Sequence, residues 1–276
     1  MQTALLEMAL LSVLVAVVGT FIVLQGKAFL ALALSHGIFP GIVIAYLTGW
    51  DYLALSLIAG IIISLAVGLV GRNRRVGSDS AIAAIYTGTF AFGIVLVSSI
   101  KTFRGLTDIL FGRPFATTWS DISLTGLTCF ILLGLMLIMR KGLLLATFDR
   151  NMALAVGFPV VAIELGFLAI VAVSVITALP AVGNIQLVAL LITAPATARL
   201  LTSQLVPMML LAGLVSLSGS LIGLYAAYHF DLTPGSTIVA ALTVLFTLAL
   251  IFSPDQGLLA RWLSRRATHF PLETVN

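Results

Sequence analysis

An all-α, polytopic membrane protein with eight or nine transmembrane helices is the fold class this sequence predicts, and three observations carry that reading. Hydrophobic residues make up 61% of the 276 and charged residues only 9%, against roughly 25% charged in a soluble domain; mean hydropathy is +1.19. The apolar residues come in runs of about 20, the length that crosses a bilayer as helix, not in the short alternating segments of an outer-membrane barrel. The basic residues fall between those runs, heavily on one side.

Nine runs qualify, at about 4–25, 28–48, 52–71, 81–100, 122–139, 160–179, 184–203, 206–228 and 235–253. The first carries Glu7, lacks a basic leader and is too long for a signal-peptide core, so it reads as a retained span. The second contains His36 in an otherwise apolar stretch whose only other ionisable group is the Tyr46 phenol. That places an imidazole near mid-depth, where it serves either a solute pathway or a polar contact between helices. Ser35 beside it has the simpler option of bonding back to its own helix. Pro40, between Gly37 and Gly41, marks a site where this helix can kink.

Trp50 and Asp51 end the second run, and Gly71-Arg72-Asn73-Arg74-Arg75 follows the third. After the fourth run, the segment from Lys101 to Asp121 includes a short apolar piece, Leu106 to Phe111, expected as an interfacial or re-entrant helix. The fifth run holds the single cysteine, Cys129, which excludes a disulfide framework and a thiolate metal cluster. Between Arg140 and Pro159 a short, mostly apolar helix of about 147–157 is expected, capped by Thr147, with Asp149 near its start and Gly157-Phe158-Pro159 ending it. Such a helix suits docking to a soluble partner or lying among lipid headgroups. Glu164 falls near the start of the sixth run, at the interface.

The seventh run is polar for its place, with Asn184, Gln186 and Thr193, and is bracketed by Gly183 and Pro195. Amides there either glue helices or line a cavity. Gly219 and Gly223 give the eighth run a small-residue packing face, and Tyr228-His229-Phe230-Asp231 closes it. Together with Asp51, His229 and Asp231 offer an entry site for a cation or, equally, ordinary interfacial anchoring. The whole reads as one transmembrane domain, 1–253, with a basic tail, 254–276.

If the 71–75 loop is cytoplasmic, eleven basic residues lie inside: Lys27, Arg72, Arg74, Arg75, Arg140, Lys141, Arg150, Arg199, Arg261, Arg265 and Arg266. Three, Lys101, Arg104 and Arg113, lie outside. By the positive-inside rule this sets the N-terminus outside and the C-terminus inside, given nine spans. The same asymmetry explains the pI of 9.6 without nucleic acid. No phosphate-binding GxxxxGK[ST] loop, HExxH or GxSxG motif occurs, so the chain neither hydrolyses nucleotide by itself nor resembles an intramembrane enzyme.

The polar elements also carry a family likeness. Leu34-Ser35-His36-Gly37-Ile38-Phe39-Pro40-Gly41 resembles the SHAxLPG element of the permeases of metal-ion ABC importers (ABC-3 type), the group that carries manganese, zinc and iron. In order along the chain, Ser78-Asp79-Ser80-Ala81-Ile82 with Phe90-Ala91-Phe92-Gly93 is similar to DSAIG…FALG, and Asp108-Ile109-Leu110-Phe111-Gly112 to an external LFG piece. Phe148-Asp149-Arg150 with Ala153 and Gly157-Phe158-Pro159 resembles FDxxxAxxxGxP. Val182-Gly183, Ala189-Leu190-Leu191 and Pro195 to Arg199 resemble VG…ALL…PAATAR. Gly223-Leu224-Tyr225, Tyr228, Asp231, Gly235 and Ile238-Val239 resemble GLYLSYYLDxxxGxxIV.

The resemblance implies a permease bundle like that of cobalamin importers, paired with a second permease as homodimer or with a sister subunit. It implies a cytoplasmic ABC ATPase dimer beneath, through which ATP acts, and an extracytoplasmic metal-binding protein above, all at a bacterial plasma (inner) membrane. The chain would bind no cofactor and no nucleic acid; a divalent metal ion is its substrate. His36, Ser35, Asp51, His229, Asp231, Asn184 and Gln186 become the metal path, Pro40 and Pro195 its hinges, and Phe148, Asp149, Ala153 and Gly157 the coupling to the ATPase. Two departures stand out: the acid of the family's GDALSH is Leu32 here, and Asn184 and Gln186 replace apolar residues. A non-transporting scaffold or receptor subunit and a passive cation channel are the competing functions.

Overall fold

The computed structural model describes residues 1–73, 75, 77–98, 112 and 114–253. The expected interfacial piece Leu106 to Phe111, the basic residues Lys101, Arg104 and Arg113, and the tail from Pro254 lie outside the described residues. Eight described helices are long and apolar enough to cross a membrane: α1 (Gln2–Leu24), α2 (Ala28–Thr48), α3 (Tyr52–Val70), α4 (Ser78–Ser98), α5 (Trp119–Phe148), α7 (Val160–Leu201), α8 (Leu205–Phe230) and α9 (Pro234–Phe252). Between α5 and α7 stands a short helix, α6 (Arg150–Ala155).

Two expected spans, the sixth and seventh, form the single trace α7, with Gly183 alone in a non-helical conformation (φ 73°, ψ 167°). Continuous in sequence, α7 is not straight. Near its start Phe167 meets Phe21, ring centroids 6.2 Å apart. Near its end Leu191 and Pro195 press on Gly19, and Arg199 donates to the Val23 carbonyl at 3.0 Å. Residues 167 and 195 of a straight helix would stand about 42 Å apart, yet both reach one short stretch of α1. The chain therefore doubles back at Gly183, whose positive φ is cheap only for glycine. Gly112 packs directly on the Val182–Gly183 backbone at this bend.

That hairpin is the centre of the bundle. Its first arm buries Phe167, Ile170, Val171, Val175, Ile176, Leu179 and Val182, and α7 touches α1, α2, α3, α5, α6, α8 and α9. On one flank α2, α3 and α4 pack together; on another α8 packs on α1 and α9. Small residues allow close crossings: a Cβ on Gly41 would fall 2.7 Å from Ala59 Cβ, and one on Gly93 3.1 Å from Pro40 N. The outer faces stay apolar, with Phe130 and Ile138 of α5 80% and 82% exposed, which suits lipid and not water.

Three further details differ from the sequence reading. Helix α5 runs on through Arg140 and Lys141 to Phe148, where a loop was expected. Thr147 does not cap the short helix: its hydroxyl donates back to Leu143 O at 2.6 Å and accepts from Gln25 Nε2 at 3.1 Å. Asp149 is the cap, its carboxylate accepting from Met152 N at 2.9 Å. Finally, α1 contains a π-helical turn, Val15–Gly19, which no periodicity in that mostly apolar run announces.

Candidate functional site

Two interruptions of regular helix meet at His36. In α2 the first helical segment ends at Gly37 and the next begins at Phe39, with Pro40 in its first turn. Proline has no N–H to give the His36 carbonyl, so the break follows directly. In α7 the bend at Gly183 makes Asn184 the first residue of the returning arm. Asn184 is 3% exposed, and its Nδ2 lies 3.0 Å from His36 Nε2 and 3.2 Å from Nδ1.

The hydrogen bonds select a tautomer. His36 Nδ1 lies 3.1 Å from the Leu32 carbonyl, which can only accept, so Nδ1 carries the proton and donates. Nε2 then holds the lone pair and accepts from the Asn184 amide. A backbone carbonyl fixing one ring nitrogen so that the other can ligate is the usual arrangement around a metal-binding histidine. The Ser35 hydroxyl donates to the same carbonyl at 2.7 Å, the back-bond expected for it, and stands 3.3 Å from Nδ1. On the far side Asn184 Oδ1 is buried with no hydrogen-bond partner.

An aromatic wall completes the site. Tyr86 and Phe90 of α4 each stand edge-on to the His36 ring at 5.8 Å and stack on one another at 6.0 Å, and Phe39 lies 5.8 Å from Phe90. Sequence reasoning passed over Tyr86, and noticed Phe90 only inside a motif. Their spacing of four residues on one helix face was the available signal.

The other candidates are placed elsewhere. Gln186, fully buried, turns its Nε2 to Met8 Sδ at 3.3 Å on α1; two residues beyond Asn184, it faces roughly the opposite side of the helix. Asp51 caps α3, accepting from Ala54 N at 2.7 Å. His229 is exposed and packs on Tyr225 and Tyr228, centroids 4.5 and 5.6 Å away. Asp231 ends α8 in the left-handed conformation, φ 52°. Helix α8 packs on α1, α7 and α9, whereas the neighbours of His36 come from α4 and α7. Among the described residues no group of three or more His, Cys, Asp or Glu comes close enough to hold a metal ion. Pro195 lies in the returning arm against the π-helical turn of α1, its Cγ 2.8 Å from where a Gly19 Cβ would be.

A second feature sits at the other end of α7. Helix α6 shows Met152 (51%), Leu154 (51%) and Val156 (57%) to the outside, beside Phe148 at 68%. Ala153 is its buried contact, and Gly157 (φ 88°) turns the chain so that Phe158 N reaches Ala153 O at 3.0 Å. Arg150 clamps the helix to α7, its Nε and Nη2 donating to Glu164 at 2.9 and 3.4 Å. The Glu164 carboxylate holds that guanidinium still more firmly protonated than usual.

Comparison with known proteins gives the family. The family model of the ABC 3 transport family matches residues 1–253. The manganese transport system membrane protein MntC of Halalkalibacterium halodurans is 40% identical over 270 residues, covering 97% of this chain and 92% of that protein. The chelated iron transport system membrane protein YfeD of Yersinia pestis is 32% identical over 253 residues, 92% and 85% of the two chains. The solved structure of PsaBC from Streptococcus pneumoniae in complex with Fab superposes with a TM-score of 0.83 at 29% identity, covering 96% of this chain and 94% of that one. The chain belongs to the ABC 3 transport family, as the multi-pass membrane permease subunit of an ABC importer.

Proposed function

We propose that this subunit carries a divalent transition-metal ion, manganese or iron as in the relatives' names, past His36. The single observation behind that reading is the His36–Asn184 contact, which joins the break in α2 to the bend in α7. The ion takes the Nε2 lone pair, and the Asn184 amide turns its Oδ1, buried and unpartnered, toward the metal. Leu32 stands where the family has an acid, so one copy supplies only neutral donors; the second permease, identical or a sister subunit, supplies the rest. Ser35 supports the Leu32 carbonyl. The Asp51, His229 and Asp231 edge belongs to the path as entry groups rather than to this centre, and Gln186 braces the returning arm against α1.

Movement follows from the same parts. Pro40 and Pro195 serve as pivots, one beside the site and one against the π-helical turn of α1. Phe148, Asp149, Ala153 and Gly157 shape the apolar face of α6, on which the ATPase docks from the cytoplasm. The end bearing Lys27, Arg72, Arg140 and Arg199 is cytoplasmic by its positive charge; the end with Asp51 and Asp231 faces the extracytoplasmic metal-binding protein. The membrane is the bacterial plasma membrane.

The test is metal uptake by cells carrying His36→Ala, with copurification of the ATPase as control. Uptake abolished and assembly retained is the expected result. Normal uptake in that variant removes His36 from the path.

A further inference from the structure

A cavity of about 360 Å³ opens at the Lys27 end, between the starts of α2, α4 and α7 and the end of α3, with Arg150 of α6 at its rim. Its charged lining is Lys27, Arg72, Arg150 and Glu164. Glu164 is engaged by Arg150, so Lys27 and Arg72 are left without a carboxylate within ion-pair distance among the described residues. The Lys27 ammonium instead lies 5.9 Å from the Phe167 ring centroid. The apolar part of the lining is the half-buried Leu165, with Leu30, Ile82 and Leu168 buried behind it.

We propose that this cavity binds the phosphate of an anionic phospholipid. Lys27, Arg72 and Arg150 outnumber the one carboxylate in the lining, and a cleft with one sign of charge in excess and partly apolar walls attracts an anion more strongly than the same charges in open water. A bare inorganic anion has no use for the apolar wall, whereas a lipid places phosphate on Lys27 and Arg72 and its glycerol and first methylenes against Leu165. Helix ends are the depth at which headgroup phosphates stand, and basic pockets between helices at that level suit them. Burial lowers the Lys27 pKa, with opposing help from Glu164; a phosphate would offset that desolvation. The site is separate from the His36 path and does not depend on which metal is carried.

The full chain, exchanged into equal amounts of phosphatidylglycerol and phosphatidylcholine and analysed for retained lipid by mass spectrometry, tests this. Phosphatidylglycerol should be enriched, with Arg72→Gln and Lys27→Gln each lowering the enrichment about fivefold and Lys27→Arg preserving it. Arg72 is exposed, so its variant keeps the test valid should Lys27→Gln misfold. Lys141→Gln, exposed and outside the cavity, should change nothing. No headgroup preference, an equal loss with Lys141→Gln, or displacement of phosphatidylglycerol by millimolar inorganic phosphate would each overturn the proposal.

Discussion

His36 shows how far a single residue can be read. An imidazole alone among apolar residues was visible in the sequence, as was the proline four residues on. What stayed hidden was its partner: Asn184 lies 148 positions away, and no local pattern pairs two residues across a bundle. Asn184 and Gln186 looked equivalent in the sequence, yet helical geometry turns one to His36 and the other to Met8. The carboxylate of Asp51 likewise looked free and is used on the first turn of α3. Asn184→Ala removes both the partner of His36 and the proposed Oδ1 donor, and should therefore lower metal uptake by at least the 10- to 100-fold seen when a group that orients a ligand is lost. Gln186→Ala should disturb packing against α1 more than transport. Parallel uptake and thermal-melting measurements on the two variants separate these effects, and equal uptake losses would refute the distinction.

Among the elements, the long apolar helices were legible nearly to their ends because length and hydropathy dictate them. Junctions were not, because they depend on tertiary contacts. Gly183 was recognised as a bracket, but its φ of 73° and the packing of Gly112 on it come only from the fold. Gly183→Ala puts a side chain into that conformation and should destabilise the protein by about 1–3 kcal/mol, read as a lower melting temperature in detergent. The short helix was foreseen with the wrong cap, since Thr147 still lies within α5, where its hydroxyl donates back to Leu143 O. Asp149→Ala should cost about 1 kcal/mol of helix stability and loosen the link between ATP hydrolysis and uptake. ATPase activity with metal uptake lost is the expected phenotype; unchanged coupling would discount α6.

For the molecule as a whole, the count of crossings turns on α7. Nine apolar runs were evident, and the structure draws two of them as one trace bent at Gly183. Cys129 is buried, so it gives little background to membrane-impermeant thiol reagents. In intact cells Trp50→Cys and Leu232→Cys should be labelled, and Asn73→Cys and Gln204→Cys protected. Were Val160–Leu201 a single crossing, Gln204→Cys and Leu232→Cys would exchange behaviour.

The clamp between Arg150 and Glu164 gives the hairpin a mechanical property. From Val160 to Val182 the first arm is one helix, about 34 Å long at 1.5 Å per residue. It is gripped near its base by α6 and tipped by the glycine that precedes Asn184. A lean of only about 5° at the base swings that tip by about 3 Å, the full length of the hydrogen bond between Asn184 and His36.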